Sequence, residues 1–144
     1  MVKISWITES IAIGPAIGAK DITSLVVKGV GCIIDLRSEY KDDEDLLMAN
    51  GIELLHIPID DGTPPTDEQM HLLHRWLRSR EDKRVFIHCQ NGAGRSPIAA
   101  MAFLVLEGMT AAEAQDLVER RHPWAGPNPA QMRFLYELEQ RLRG

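Results

Sequence analysis

Cysteine is scarce in this sequence of 144 residues, which contains only Cys32 and Cys89. A small chain with so few cysteines is not built on a disulfide framework, and such chains are typical of a reducing compartment. Long hydrophobic runs are also missing, because four polar residues interrupt the isoleucine-rich stretch 4–17 and exclude it as a signal-peptide core or membrane span. We therefore expect a cytoplasmic protein that does not act in a membrane.

Positive charge is in short supply as well, since 16 Lys and Arg face 21 Asp and Glu and give a net charge of -5. Nucleic acids and anionic membranes select basic faces, so neither is expected as the main partner. Most of the histidines, namely His56, His71, His74 and His122, show no shared metal-ligand spacing. The sequence therefore predicts no metal and no other cofactor.

The rest of the composition is that of an ordinary soluble globular protein, with 44% hydrophobic and 26% charged residues. A chain of this length can bury one hydrophobic core. No internal repeat, low-complexity tract or linker divides it, and we expect residues 1–144 to form a single catalytic domain.

Short β-rich runs alternate with helical patterns along the chain. Capping boxes at Thr66 and Thr110 mark two helix starts, and the last helix, from about Pro129, should bury Phe134, Leu135, Leu138 and Leu142. Strands are expected at 5–7, 11–13, 32–36, 52–59 and 85–87, and helices at 21–28, 41–50, 66–79, 95–107, 110–122 and 129–142. This alternation predicts an α/β fold with a mostly parallel central sheet flanked by helices.

The strand predicted at 85–87 is followed directly by His88 and Cys89. Ligands of parallel sheets bind at the carboxyl ends of the strands, so Cys89 is expected at a binding site. The next residues, Gln90 to Gly94, are mostly small and lead into a helix. Their backbone N–H groups and the helix dipole could together hold a phosphate, as in other small-residue loops before a helix.

Three side chains around this loop suit phosphate chemistry. Arg95, six positions after Cys89, has a planar fork that can bind two phosphate oxygens and the charge of a transition state. A helix N-terminus and a guanidinium favour a thiolate, which makes Cys89 a candidate nucleophile. Ser96 can donate a hydrogen bond to the sulfur, and His88 is expected to orient the loop rather than act as a base.

The alternative interpretation is an ordinary turn before a helix and a buried cysteine at a strand end. Five specified positions would coincide by chance in about 4 of 100,000 chains of this length, so we favour catalysis. The pattern His88-Cys89-x-x-Gly92-x-x-Arg95-Ser96 resembles the signature loop of the protein tyrosine phosphatase superfamily, and most of all its compact dual-specificity branch. Segments 11–14, 31–36 and 126–129 are similar to the same branch.

Hydrolysis of a phosphate ester also needs a proton donor for the leaving oxygen. Residues 57–61, Ile-Pro-Ile-Asp-Asp, resemble the acid loop of the family, in which the second acidic position is catalytic. The resemblance therefore implies Asp61 rather than Asp60 as the general acid, on a loop that could be a mobile lid. The alternative is that both are solvated turn carboxylates. Gln131 could position water or be a surface residue, and Asn128 is expected to cap the last helix.

The resemblance implies a phosphate monoester hydrolase that works through a phosphocysteine intermediate. We expect a phosphoprotein substrate, with phosphotyrosine foremost and phosphoserine and phosphothreonine as further targets. One alternative is a catalytically weak module that binds phosphoproteins, and another is a phosphatase of a small molecule, RNA or lipid. Rhodanese-like sulfur chemistry is a third, which Gly92, Ser96 and the segment 57–61 disfavour. The sequence does not specify the oligomeric state.

Overall fold

The computed structural model describes residues 3–144, whose centre is a five-stranded sheet. The strand order is β1-β2-β5-β3-β4; β1 pairs antiparallel with β2, and all other neighbours are parallel. The strands are β1 Ser5–Trp6, β2 Ile11–Gly14, β3 Val30–Arg37, β4 Glu53–Ile59 and β5 Arg84–His88. The expected α/β fold with a mostly parallel central sheet is therefore confirmed.

Six α-helices accompany the sheet within residues 3–144. Capping boxes at Thr66, Thr110 and Asn128 begin three of them, because each N-cap side chain accepts the N–H group three residues on. The helices are α1 Ile22–Val27, α2 Glu44–Ala49, α3 Asp67–Arg78, α4 Arg95–Leu106, α5 Ala111–Arg121 and α6 Pro129–Arg143. No helix among residues 3–144 is long and apolar enough to cross a membrane.

The helices cover both faces of the sheet. Apolar side chains of α1 and α2 pack on one face, around Phe86 and Ile33, and α3 to α6 pack on the other, around Ile34 and Ile87. Neighbouring strand residues serve opposite clusters because successive side chains point to opposite faces. Helix α4 lies within the larger cluster, and every residue from Arg95 to Val105 is buried. The arginine of the signature motif, Arg95, therefore starts the most buried of these helices.

Some predicted boundaries were wrong. The helix expected at 41–50 spans only Glu44–Ala49, because the Asp43 side chain accepts the Leu46 N–H group and sets the start. The helix expected from residue 21 is preceded by a 3-10 turn, Ala19–Asp21. Leu142 is 48% exposed, since it lies in the last turn of α6 beyond Leu138, the last buried residue of that helix.

The sheet places its central strand, β5, between β2 and β3. His88 ends β5 and pairs with Gly14 of β2 and Asp35 of β3. Cys89 therefore follows at the carboxyl edge of three parallel strands, where the sequence pattern placed it.

Candidate active site

Cys89 is the first residue after β5 and is 2% exposed. The Gly92 N–H group donates a hydrogen bond to its Sγ at 3.3 Å. The Ser96 hydroxyl lies 3.4 Å from the same sulfur and 3.4 Å from the Gly14 carbonyl oxygen, so it can donate to either. The structure thus brings the thiol, one backbone N–H and one hydroxyl together, and the contact between Ser96 and the sulfur is the one that the motif predicts.

The loop between Cys89 and Arg95 depends on glycine at one position in particular. Gly92 has a φ of +73°, and a Cβ atom there would lie 2.8 Å from the backbone of Gly14 and Pro15. Any other residue would be strained and would clash with the end of β2. The close approach lets the loop curl against the sheet edge, which turns its backbone around the thiol.

Backbone donors of this loop are available to a ligand. The N–H groups of Gln90, Asn91, Ala93 and Gly94 donate to no acceptor within residues 3–144. The start of α4 adds the positive end of a helix dipole. A tetrahedral anion suits such converging donors.

Arg95 is 2% exposed, and its guanidinium is held on two sides. Nη1 donates to Glu39 Oε1 at 2.7 Å and to the Ile59 carbonyl at 2.8 Å, and Nη2 donates to Glu39 Oε2 at 2.7 Å. Nε has no partner among residues 3–144, although it is buried. A guanidinium has five N–H donors, so the edge formed by Nε and the second Nη2 proton is left to bind an anion.

Glu39 was not singled out in the sequence, yet it fixes the orientation of Arg95. Its hydrogen bonds with Arg95 lower the pKa of Glu39 to about 2. The pKa of Arg95 is raised by the same hydrogen bonds, and the nearby Cys89 and Asp61 add to this shift. Glu39 and Arg95 both stay charged at neutral pH. Their ion pair fixes the orientation of the guanidinium edge that carries Nε.

The two candidate acids lie in the exposed turn after β4 and differ in their surroundings. Asp61 Oδ1 is 3.7 Å from Arg95 Nη2, and the Asp61 side chain is 79% exposed. The carboxylate of Asp60 makes no ion pair within the described part of the chain, and its carbonyl accepts hydrogen bonds from Thr63 N and Oγ1. Only Asp61 therefore approaches the phosphate loop.

Two residues at the start of α6 hold this turn. Asn128 caps the helix by accepting the Gln131 N–H group at 2.9 Å, as expected, and its Nδ2 also donates to the Gly62 carbonyl at 2.8 Å. Gln131 Nε2 lies 3.5 Å from the Thr63 carbonyl and 3.2 Å from where a Gly94 Cβ would be. Gln131 is 2% exposed, which rules out the alternative that it is a surface residue.

A buried network supports the base of the phosphate loop. His88 Nε2 lies 2.6 Å from Asp42 Oδ2, and its Nδ1 lies 3.2 Å from the Cys89 carbonyl. Arg37 donates to Asp35, to Asp42 and to the side chain of Gln90. Sequence reasoning missed Asp42, because its neighbours along the chain give no sign that it reaches His88. The position of His88 supports its expected orienting role.

Asp35, Asp42 and His88 place potential metal-ligand atoms within 4.8 Å of one another. The Arg37 guanidinium already lies between the carboxylates, at 3.2 Å from Asp35 and 3.1 Å from Asp42. Burial opposes ionisation of Asp35, but hydrogen bonds from Arg37 outweigh it and hold its pKa below the usual range. The carboxylates therefore have a resident cation from the chain itself, and the cluster does not suit a metal ion.

Cys32 is separate from this site. Its register partner on β5 is Val85, four residues before Cys89, which corresponds to about 13 Å along a strand. Burial raises the pKa of its thiol to about 11. These facts indicate that Cys32 is a core residue and do not fit a resolving thiol for Cys89.

The chain is similar to known proteins both in sequence and in structure. Residues 9–127 match a family described as a DSP-PTPase phosphatase fused to NAD+ kinase. The crystal structure of Tk-PTP in its active form is 33% identical, covers 96% of this chain and 97% of its own, and superposes with a TM-score of 0.86. Both comparisons extend beyond the signature loop to the surrounding sheet and helices.

Two curated relatives are also similar. Dual specificity protein phosphatase 13B of Mus musculus is 28% identical over 99% of this chain and 76% of its own length. Protein tyrosine phosphatase PRL-1 of Leishmania major is 33% identical over 71% of this chain and 64% of its own. Their alignments, like those above, include the loop from Cys89 to Arg95 within a larger matched segment.

Proposed function

The chain belongs to the dual-specificity branch of the cysteine-dependent protein tyrosine phosphatases, and we propose that it dephosphorylates phosphoproteins through a phosphocysteine formed on Cys89. Phosphotyrosine is the main target in this proposal, with phosphoserine and phosphothreonine as further substrates. The observation that carries it is Arg95 Nε, which is buried and has no hydrogen-bond partner within residues 3–144.

Binding follows from the donors around that edge. The phosphate oxygens accept hydrogen bonds from Arg95 Nε and Nη2 and from the free N–H groups of the loop, which are those of Gln90, Asn91, Ala93 and Gly94. Glu39 binds the Nη1–Nη2 edge of the guanidinium. The orientation of Arg95 is therefore fixed before the substrate binds.

The first chemical step transfers the phosphoryl group to sulfur. The Cys89 thiolate attacks phosphorus, the S–P bond forms, and the bond to the ester oxygen breaks. Asp61 gives its proton to the leaving oxygen, and Arg95 stabilises the charge on the transferring group. The proximity of Asp61 to Arg95 supports this assignment over Asp60.

The second step releases inorganic phosphate. The Asp61 carboxylate takes a proton from water, the water oxygen attacks phosphorus, and the S–P bond breaks to restore the thiolate. Ser96 and the Gly92 N–H group donate hydrogen bonds to the departing sulfur, which lowers the barrier to its departure.

The composition of the loop favours a protein substrate over a highly phosphorylated lipid or inositol. Gln90, Asn91, Ala93 and Gly94 carry no positive charge that could bind additional phosphates. A binding module without catalysis is disfavoured, because the nucleophile, the arginine and a nearby carboxylate are all present. Phosphorylated small molecules and RNA are alternative substrates that the experiment below distinguishes.

The test measures hydrolysis of para-nitrophenyl phosphate with EDTA present, and measures inhibition by vanadate in a separate assay without a chelator. Wild type should be active without metal, and Cys89→Ser should reduce turnover to background while tungstate still binds. Arg95→Lys should lower kcat/KM by about 100- to 1,000-fold, because lysine cannot supply the fork. Wild type that needs an added metal, or an active Cys89→Ser, would contradict the mechanism.

Substrate class is tested with the same wild-type protein. Phosphotyrosine, phosphoserine and phosphothreonine peptides are compared with sugar phosphates, 5′-phosphorylated RNA and phosphoinositide micelles by phosphate release. The proposal expects the highest kcat/KM on phosphotyrosine peptides. A higher value on any non-protein phosphate would replace the phosphoprotein assignment but leave the phosphocysteine mechanism intact.

A further inference from the structure

Hydrogen bonds on the outer side of the phosphate loop orient its backbone N–H groups. In a trans peptide the C=O and N–H groups point in opposite directions. A carbonyl that is held on the outer side of the loop therefore turns the N–H group of the next residue inward. Three carbonyls of this loop accept such outer hydrogen bonds: Gln90 from Ala16 N at 3.1 Å, Gly92 from His122 Nε2 at 2.6 Å, and Ala93 from Gly126 N at 2.7 Å.

His122 differs from the other two donors because it is a side chain. It is the C-cap residue of α5 and has no exposed surface. The Gly92 carbonyl can only accept, so Nε2 carries the proton, and Nδ1 then accepts from the Ser5 hydroxyl at 2.7 Å. Ser5 thus selects the tautomer that His122 needs, and the Trp124 ring packs on the imidazole at 4.1 Å between centroids.

The peptide held by His122 follows a glycine, whose backbone can turn. Gly92 has no side chain and a positive φ, so few steric barriers oppose rotation of the peptide between residues 92 and 93. Rotation would bring the Gly92 carbonyl toward a bound anion and move the Ala93 N–H group away from it. The hydrogen bond from His122 to the Gly92 carbonyl therefore fixes the direction of the Ala93 N–H group.

We propose that His122 is a positioning residue for the reaction, which directs the Ala93 N–H group at the substrate phosphate by holding the Gly92 carbonyl outside the loop. The inference rests on the proposed phosphate-binding function of the loop. His122 lies outside the signature motif, 33 positions after Cys89, and does not touch the reacting atoms.

The experiment compares three variants by their affinity for tungstate, measured by calorimetry, and by kcat/KM on para-nitrophenyl phosphate. His122→Phe keeps a ring but has no donor, and His122→Asn reaches Ser5 but is too short for the Gly92 carbonyl. Both should bind tungstate about 10- to 100-fold more weakly, the effect of one hydrogen bond to a charged group. His122→Gln, whose amide nitrogen reaches the position of Nε2, should recover most of the affinity.

A control and a second measurement keep the inference falsifiable. His74→Phe removes a histidine of α3 that contacts Glu107, the residue after α4 and remote from the loop, and should leave tungstate affinity unchanged. If His122→Gln is as weak as His122→Asn, or His122→Phe binds as wild type does, the inference is wrong. If the Phe and Asn variants do not fold, the Ala93 amide resonance of wild type is followed during phosphate titration. An unshifted Ala93 resonance in a protein that binds phosphate would overturn it.

Failure of this inference is distinct from failure of the proposed function. Wild type that neither binds tungstate nor releases phosphate would contradict the proposed function itself. Wild type that does both, beside His122 variants with unchanged affinity, would remove only the role of His122.

Discussion

Two loops meet at Arg95, and they are held in different ways. The phosphate loop, residues 89–95, is anchored by backbone hydrogen bonds and the buried His122. The acid turn, residues 60–63, is exposed and is anchored at its Gly62 carbonyl by Asn128. The binding loop is thus tied to the core through its buried residues Cys89, Gly92 and Arg95, whereas the acid turn is exposed throughout.

The difference follows from what each loop has to do. Hydrogen bonds to an oxyanion are strong only when several donors keep fixed directions, and a buried backbone supplies such order. A general acid must exchange protons with water and with the leaving group, which an exposed carboxylate can do. Asp61, with 79% of its side chain exposed, meets this need while staying 3.7 Å from Arg95.

The largest effect that separates the two loops is expected from Asp61→Asn. The amide cannot protonate the leaving oxygen, so kcat on phenyl phosphate should fall by about 100- to 1,000-fold. An ester whose leaving group is already a stable anion should be affected much less. Steady-state kinetics with both esters gives the ratio. Asp60→Asn is the matched control and should stay within about twofold of wild type; a larger loss there than in Asp61→Asn would reverse the assignment.

A smaller effect is expected from Asn128→Asp. The carboxylate still caps α6, but it cannot donate to the Gly62 carbonyl, so only the anchor of the acid turn is lost. One neutral hydrogen bond corresponds to about a 2- to 10-fold fall in kcat on phenyl phosphate. The free energy of unfolding should change little, because aspartate and asparagine are similar N-caps.

The Asn128 result is checked by the same pair of esters and by urea unfolding. Tungstate affinity should be unchanged, since the phosphate loop is held separately. Equal losses on both esters, or weaker tungstate binding, would mean that the acid turn and the phosphate loop are not independently anchored.

The smallest effect is the dependence of the free energy of unfolding on pH. It tests the burial of His122, which anchors the phosphate loop. Burial lowers the pKa of His122 below the ordinary histidine value of 6.5. Above that pH His122 is neutral in both states, and below it the unfolded chain gains a proton that the folded chain does not bind. Stability should therefore be complete above pH 6.5 and decline on acidification, by at most ~1.4 kcal/mol per pH unit, until the folded pKa is reached.

This pH effect is measured as the difference between wild type and His122→Gln in urea unfolding at pH 7.5, 6.0 and 5.0. Wild type should lose more stability than the variant over this range. Glu39, with a pKa of about 2, is present in both proteins, so its contribution cancels from the difference. Parallel curves for the two proteins would show that His122 is not buried in its neutral form.

The parts of the fold that could be predicted from sequence are those with local signals. The helix starts at Thr66 and Thr110 follow from side chains that bond within three residues, and both were confirmed. The strand before Cys89 follows from a short apolar run before a glycine-rich loop. Leu142 was misplaced, because periodicity alone does not show where the neighbouring helices end.

The residues of the candidate site also fall into those with a local sequence signal and those without one. Cys89, the loop residues and Arg95 are consecutive, so their spacing alone indicated phosphate chemistry. Glu39 is 56 positions from Arg95 and Asp42 is 46 from His88, and neither had a local pattern to mark it. Gln131 looked the same as a surface residue until the packing of α6 against Gly94 was known.

The sequence by itself determined the chemistry of this protein, because the nucleophile, the loop donors and the clamp lie within one short segment whose spacing is set by the backbone. The tertiary structure decided how those groups are oriented. Glu39 selects the free edge of Arg95, Asn128 holds the turn that carries Asp61, and His122 holds the Gly92 carbonyl. Each of these contacts joins residues far apart in the chain, and only the packing of strands and helices brings them within hydrogen-bonding distance.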